Sequence, residues 1–139
     1  MLGSLLYAIY RANKGYRSAA AFSSADNAVR HWTATIAHIQ LALGITLYIK
    51  SPVVKYFFAH FSEATRQVEL RFFGIIHFLL MFTAVVVITI CSALAKRNPV
   101  PLEQFRIMLV WFAVGLLIIF IAVPWPFSPL AGRPYFRMY

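Results

Sequence analysis

Residues 72–95 read FFGIIHFLLMFTAVVVITICSALA and contain no Asp, Glu, Lys or Arg. Residues 107–132, IMLVWFAVGLLIIFIAVPWPFSPLAG, are likewise free of these charged side chains. A helix needs about 20 predominantly apolar residues to cross the ~30 Å hydrocarbon core of a bilayer. Because both runs exceed that length, they predict two membrane-spanning helices and decide the fold class.

A third span is predicted from about Trp32 to Ile49, with Arg30 before it and Lys50 after it. The composition agrees, because 61% of the 139 residues are hydrophobic and only 12% are charged. A soluble domain is roughly half apolar and a quarter charged. We therefore expect an all-α integral membrane helical bundle with three full spans, in a single membrane domain over residues 1–139.

Residues 1–11, MLGSLLYAIYR, are too short to span a membrane, since ten residues of helix reach only ~15 Å. Basic residues follow this apolar stretch, whereas a signal peptide carries its positive charge before it. We therefore predict a partial or truncated first helix that stays with the bundle. Residues 12–29 are rich in Ser, Ala and Asn and are predicted to form a loop, with Ser24 or Asp26 capping the next helix.

The connection at residues 51–71, SPVVKYFFAHFSEATRQVELR, mixes aromatic and charged side chains at helical spacing. It predicts an amphipathic segment in the membrane interface between the second and third helices, with its aromatic side toward the lipid. His60 lies there and is expected to be a solvated surface histidine. After the last span, Pro124, Pro126 and Pro129 are expected to stop the helix. The aromatic residues expected to anchor that end at the interface are Trp125, Phe127 and Tyr135.

The formal net charge of +9 comes from 13 Lys and Arg against 4 Asp and Glu. Seven of the basic residues lie on the side that holds the first and third connections, and the others lie opposite. The positive-inside rule then favours a cytoplasmic location for the first side. The charge predicts contact with the anionic headgroups of the lipid bilayer. It predicts no nucleic-acid partner, because no basic face carries base-reading or stacking residues. We expect a bacterial inner (cytoplasmic) membrane.

Two histidines lie inside predicted spans, His38 in the second helix and His77 in the third. An ionisable side chain at membrane depth is costly, so each needs a protein partner, a water-filled cavity or a ligand. Ala34 and Ala42 flank His38, and Gly74 precedes His77 by three positions. Because small residues at such spacing mark helix-packing faces, both histidines are expected to point into the bundle.

Axial ligation of a haem b iron by His38 and His77 is one interpretation of this pair. Hydrogen-bonded structural histidines are favoured equally, with metal binding or proton transfer as further alternatives. Counted from the flanking arginines, the two residues differ in height by roughly 9 Å, whereas ligands of one iron need nearly equal heights. Tilt can remove part of this offset. Gln40 and Thr35 are nearby polar candidates, and Met81 is an alternative axial ligand whose simpler role is packing.

Three strings carry a resemblance to a known family: AHIQLALGITLYIKSP at residues 37–52, RFFGIIHFLLMFTAVVVITI at residues 71–90, and AVPWPF followed by GRPYF near the end. Over roughly residues 5–137 the chain resembles a family of small four-helix membrane proteins of Bacteroidetes, often labelled cytochrome-b-like. The resemblance implies a first helix that begins further upstream, with its own histidine-containing segment and with Met1 inside it. Where the family typically has an acidic residue before the third-helix histidine, this chain has Ile76.

We therefore expect a b-type cytochrome-like protein that transfers electrons through a haem b held by His38 and His77 between the second and third helices. The alternative is a non-catalytic accessory or scaffold subunit of a larger membrane complex, without a cofactor; a homo-oligomer is a further candidate assembly. Quinone is a candidate redox partner, with Tyr48 and the Lys50 end of the second helix as its interfacial site. The chain contains no Gly-rich phosphate loop, zinc-ligand spacing or Ser-His-Asp grouping, so no soluble-enzyme chemistry is predicted.

Overall fold

The computed structural model describes residues 1–125, which are helical with no β-strand among them. The helices are α1 (Leu2–Arg17), α2 (Ser24–Lys50), α3 (Pro52–Ala59), α4 (Phe61–Ala64), α5 (Val68–Arg97) and α6 (Pro101–Ala122). Within this part of the chain, α2, α5 and α6 are long and apolar enough to cross a membrane. The predicted all-α bundle with three spans is confirmed, and α1 is the shorter helix before them. Some predicted helix-stopping and anchoring residues lie outside the described residues: Pro126, Phe127, Pro129 and Tyr135.

The connection between α1 and α2 is shorter than the sequence predicted. Helix α1 continues to Arg17 and α2 begins at Ser24, so the loop covers only residues 18–23. The predicted cap is also corrected. The Ser23 hydroxyl accepts a hydrogen bond from the Asp26 backbone N–H at 3.2 Å, and Asp26 Oδ2 accepts from the Ser23 backbone N–H at 3.1 Å. Ser24 is therefore the first helical residue, while Ser23 and Asp26 form a capping box.

Helix α1 packs against α6 and α2 through a face of mostly small residues. The buried residues of this face are Leu5, Ala8, Ala12 and Gly15. Gly15 permits the close approach of α6, because a Cβ atom there would lie 2.4 Å from Phe105 Cζ. Toward α2, Arg11 donates a hydrogen bond to Asp26 Oδ1 at 2.6 Å. The hydrogen bond and negative charge of Asp26 raise the pKa of Arg11.

Arg30 joins α2 to α5 through hydrogen bonds inside the bundle, where it is only 4% exposed. Its Nη1 donates to the Ser92 carbonyl and hydroxyl oxygens at 2.9 and 2.6 Å. Its Nε and Nη2 both donate to Asn27 Oδ1, at 3.2 and 2.8 Å. Because a buried charged group is costly unless it is hydrogen-bonded, these bonds favour one register of α2 against α5.

The core between α5 and α6 combines small and large side chains. Ala84, Ile88 and Ala95 of α5 are buried in one cluster with Met108 of α6. Gly115 of α6 lies directly against Ile88, since a Cβ atom at Gly115 would be 2.8 Å from Ile88 Cγ1. Small residues let membrane helices approach closely, so this pair of helices forms a tight wall of the bundle.

The connection between α2 and α5 folds into α3 and α4. The Ser51 hydroxyl caps α3, and Pro52 occupies its first turn. Phe57 is fully buried, whereas other aromatic side chains of this connection face outward. The exposed aromatic residues are Tyr56, Phe58 and Phe61. His60 is exposed, as the sequence predicted, and its ring stacks on that of Tyr56 with a centroid distance of 4.4 Å.

Candidate functional site

A cleft of about 770 Å³ opens between the second half of α2, helix α3 and the first turns of α5. This volume lies within the range of small-molecule sites. In the described residues, Thr33 is the last residue of α2 that forms a hydrogen bond with α1. Its hydroxyl donates to the Ser4 carbonyl at 3.3 Å. The cleft begins farther along α2, at Gln40, beyond these contacts. The polar residues that line it are Gln40, Tyr48, Ser51, Glu69 and His77.

The α5 wall of the cleft contains a π-helical turn, Phe72–Ile76. Tyr48 of α2 donates a hydrogen bond to the Gly74 carbonyl in this turn and stacks on Phe78 with a ring-centroid distance of 4.9 Å. Gly74 also admits the Phe57 ring of α3, because a Cβ atom at Gly74 would lie 2.5 Å from Phe57 Cγ. Such turns inside α-helices occur frequently at functional sites. Here the turn lets α2, α3 and α5 meet around one glycine.

His77 follows the π-helical turn and is half-buried. Its Nδ1 lies 2.8 Å from the Ala122 carbonyl oxygen of α6. A carbonyl only accepts, so this bond assigns the proton of the neutral imidazole to Nδ1 and leaves Nε2 as an acceptor. The two ring nitrogens point in nearly opposite directions, so Nε2 is directed away from Ala122. His77 therefore brings a hydrogen-bond acceptor to the cleft wall.

His38 occupies a different part of the bundle. Its Nε2 lies 2.8 Å from Thr89 Oγ1 of α5, and the Thr89 hydroxyl donates to the Val85 carbonyl at 2.7 Å. Because that hydroxyl has one hydrogen, His38 Nε2 must be the donor in their contact. His38 is exposed, whereas the sequence predicted that its side chain points into the bundle. Its hydrogen bond to Thr89 joins two helices, as expected for a structural histidine and not for a haem ligand.

The structure does not bring His38 and His77 together. Thr89, the partner of His38, lies twelve positions after His77 on α5, which is about 18 Å along the helix axis. Side chains lean toward the N-terminus of their own helix. Since α2 and α5 are antiparallel, the rings of His38 and His77 lean away from each other. Their difference in height along the bundle is therefore larger than the sequence predicted. Paired axial imidazoles must face each other across one iron, so these residues do not fit a shared haem.

The other sequence candidates divide between the cleft and helix packing. Gln40 and Tyr48 line the cleft. The Thr35 hydroxyl instead donates to the His31 carbonyl of its own helix at 3.1 Å. Met81 packs against the hydrophobic core, in the simpler role that the sequence allowed. Among the described residues, no group of three or more His, Cys, Asp or Glu is placed to hold a metal ion.

Two lining residues, Ser51 and Glu69, were missed by the sequence reasoning. The signal for Ser51 was available, because Ser followed by Pro52 is a helix-start pattern and indicates a change of direction at the end of α2. No comparable signal marks Glu69. It joins the cleft only because the chain returns through α3 and α4 before α5 begins.

Comparisons with protein-family models, curated proteins and solved structures find no match for this chain. The resemblance to the cytochrome-b-like family therefore stays a prediction.

Proposed function

We propose that the protein binds a membrane quinone in the cleft between α2, α3 and α5, as a subunit of an electron-transfer complex. The observation that carries the proposal is the combination of apolar walls with polar groups that face one cavity, above all Tyr48 and His77. Ligand sites commonly combine apolar surroundings with a few placed polar groups. The proposed location is the bacterial inner (cytoplasmic) membrane.

A quinone suits this cleft because it joins a small polar ring to an apolar tail. Leu47 at the cleft is 71% exposed, and Gly44 beside it has open space where a side chain would be. In a bilayer this face meets lipid, which would let the tail remain among lipid chains while the ring enters. Phe73 and Tyr48 supply aromatic surface for the ring, and Gln40 and His77 supply hydrogen-bonding groups.

The chain's own residues would bind and orient the ring. Since His38 and His77 do not fit a shared haem, the proposal assigns the quinone to the His77 cleft and leaves His38 as a packing residue. The proposal combines the two functions expected from the sequence, electron transfer and an accessory role in a complex. A subunit that binds quinone but has no redox centre of its own would have both roles.

A matched pair of glycine substitutions tests the proposal. No other residue's atoms lie within 4 Å of a Cβ atom built at Gly44 or at Gly3, but only Gly44 lines the cleft. In lipid nanodiscs, we expect decylubiquinone to bind the native chain above the level of empty discs. Gly44→Leu should weaken binding at least about tenfold, equivalent to ~1.4 kcal/mol, and Gly3→Leu should leave it unchanged. Equal binding by the two variants, or no binding of either decylubiquinone or decylubiquinol to the native chain, would contradict the proposal.

A second candidate role, contact with a larger membrane complex, is favoured by the exposure of α2. Only 17% of its most apolar window is buried, against 33% in α5 and in α6. We propose that a partner helix covers the part of α2 around Ile39, which is 55% exposed and does not line the cleft, and leaves the Leu47 end open to lipid. A photoreactive residue in place of Ile39 should then crosslink to one discrete protein, whereas the same residue in place of Leu117 on α6 should not. Absence of any protein adduct at Ile39 would contradict this role.

A further inference from the structure

We propose that the cleft selects the reduced, hydroquinone form of its ligand over the oxidised quinone. This inference rests on the proposed function and adds the hydrogen-bond polarity of the site. A hydroquinone presents two hydroxyl groups that donate hydrogen bonds. A quinone presents two carbonyl oxygens that only accept, so groups able only to accept distinguish the two forms.

His77 supplies the first acceptor. Its Nδ1 hydrogen is held by the Ala122 carbonyl at 2.8 Å, so a neutral ring cannot offer a proton from Nε2 to the ligand. A hydroquinone hydroxyl can donate to Nε2, while a quinone carbonyl would meet a lone pair there. Leaving two acceptors face to face in a cleft costs the hydration that each had in water.

Tyr48 supplies the second acceptor. Its phenolic hydrogen is donated to the Gly74 carbonyl in the π-helical turn, so its oxygen has only lone pairs left to offer. The same bond and the stacking on Phe78 at 4.9 Å favour one orientation of the ring. Two residues, one from α2 and one from α5, therefore favour a ligand that donates.

The other polar groups that line the cleft only partly offset the preference of His77 and Tyr48 for a hydrogen-bond donor. Ser51 Oγ accepts from the Val54 backbone N–H at 3.4 Å, which leaves its hydroxyl hydrogen as one donor. The Gln40 amide both donates and accepts. Neither of these two groups is held as a donor toward the ligand, whereas His77 Nε2 and the Tyr48 oxygen are both left as acceptors. A ligand with two hydroxyl groups therefore matches the lining better.

The test compares both redox forms on the full chain in nanodiscs, with decylubiquinol and decylubiquinone as probes. We expect the native chain to bind decylubiquinol at least tenfold more tightly than decylubiquinone. His77→Phe, which keeps a planar ring without an acceptor, should bring the ratio close to one by weakening decylubiquinol binding. His77→Gln should keep the preference, because its amide can donate to Ala122 and accept from the ligand. His38→Phe is the matched control and should leave the ratio unchanged.

Equal binding of the two forms by the native chain, or tighter binding of decylubiquinone, would overturn the selectivity and leave the proposed function standing. Binding of neither form would overturn the proposed function itself. An unchanged ratio of decylubiquinol to decylubiquinone affinity in folded His77→Phe would contradict the role of His77 in the selectivity. If that variant does not fold, the ratios of the native chain and of His77→Gln decide: a preference lost in His77→Gln contradicts the inference.

Discussion

Two histidines of similar sequence context reach different roles because their partners differ. Ala122 is the last residue of α6, and the last four carbonyl groups of a helix have no partner within that helix. The Ala122 carbonyl therefore needs another donor, and His77 Nδ1 supplies one at 2.8 Å. His38 instead bonds a threonine on the neighbouring helix. One imidazole keeps an acceptor at the cleft wall, and the other joins two helices.

The sequence could identify both histidines as exceptional but could not assign their partners. Hydropathy places each residue within a span, whereas the direction of a side chain depends on the packing of its helix. The small residues around His38 predicted an inward orientation, yet Gly44 on the same helix has open space at its side-chain position. Small residues mark a close approach only where a second helix is present.

Replacing His38 by Ala should lower the free energy of unfolding by about 0.6 kcal/mol, the average for a hydrogen bond between membrane helices. Decylubiquinol binding should be unchanged, because His38 does not line the cleft. Unfolding in SDS followed by circular dichroism, together with a binding isotherm in nanodiscs, checks both expectations. A Soret band in the purified native chain that disappears on this substitution would instead support the haem expected from the sequence.

At the scale of the helices, the apolar spans were predicted well and their ends less well. The loop expected over residues 12–29 is mostly helix, because Ala12 and Gly15 serve close packing against α6. The π-helical turn Phe72–Ile76 had no periodic signal. Its glycine admits Phe57 and its carbonyl accepts from Tyr48, so tertiary contacts support it. Local sequence reasoning does not include such contacts.

The start of α2 offers a matched test at this scale. Ser23→Ala removes the side chain that accepts from the Asp26 N–H and should lower the free energy of unfolding by about 0.5–2 kcal/mol. Ser24→Ala, at the cap that the sequence predicted, should have a much smaller effect because it removes no capping bond. Denaturation of both variants in the same detergent gives the comparison. A larger loss for Ser24→Ala would contradict the observed cap.

For the whole molecule, the number of spans followed from physical limits that sequence alone reveals. Hydrocarbon thickness sets a minimum length of about 20 apolar residues, and three helices meet it in the described part of the chain. The cleft could not be predicted in this way. It depends on where α1 contacts α2 and on how α3 packs against α5, which join residues far apart in the sequence.

The order of the spans predicts which connections share a side of the membrane. Ser18→Cys before α2 and Arg97→Cys at the end of α5 should react with a membrane-impermeant maleimide from one side, and Ser62→Cys in α4 from the other. The native chain is the control, since its Cys91 is buried and only 4% exposed and should stay unlabelled until denaturation. Labelling of Ser18→Cys and Arg97→Cys from opposite sides would contradict the three-span arrangement.

Photolabelling with an azido-substituted decylquinone tests the central claim most directly, because it shows where the ligand lies. After irradiation in nanodiscs and digestion, mass spectrometry should place the adducts on peptides that contain residues 40–54 and 69–77, the segments that line the cleft. Excess decylubiquinol should suppress those adducts. Adducts confined to the outer surface of α6, or labelling that excess ligand does not reduce, would contradict a quinone site in this cleft.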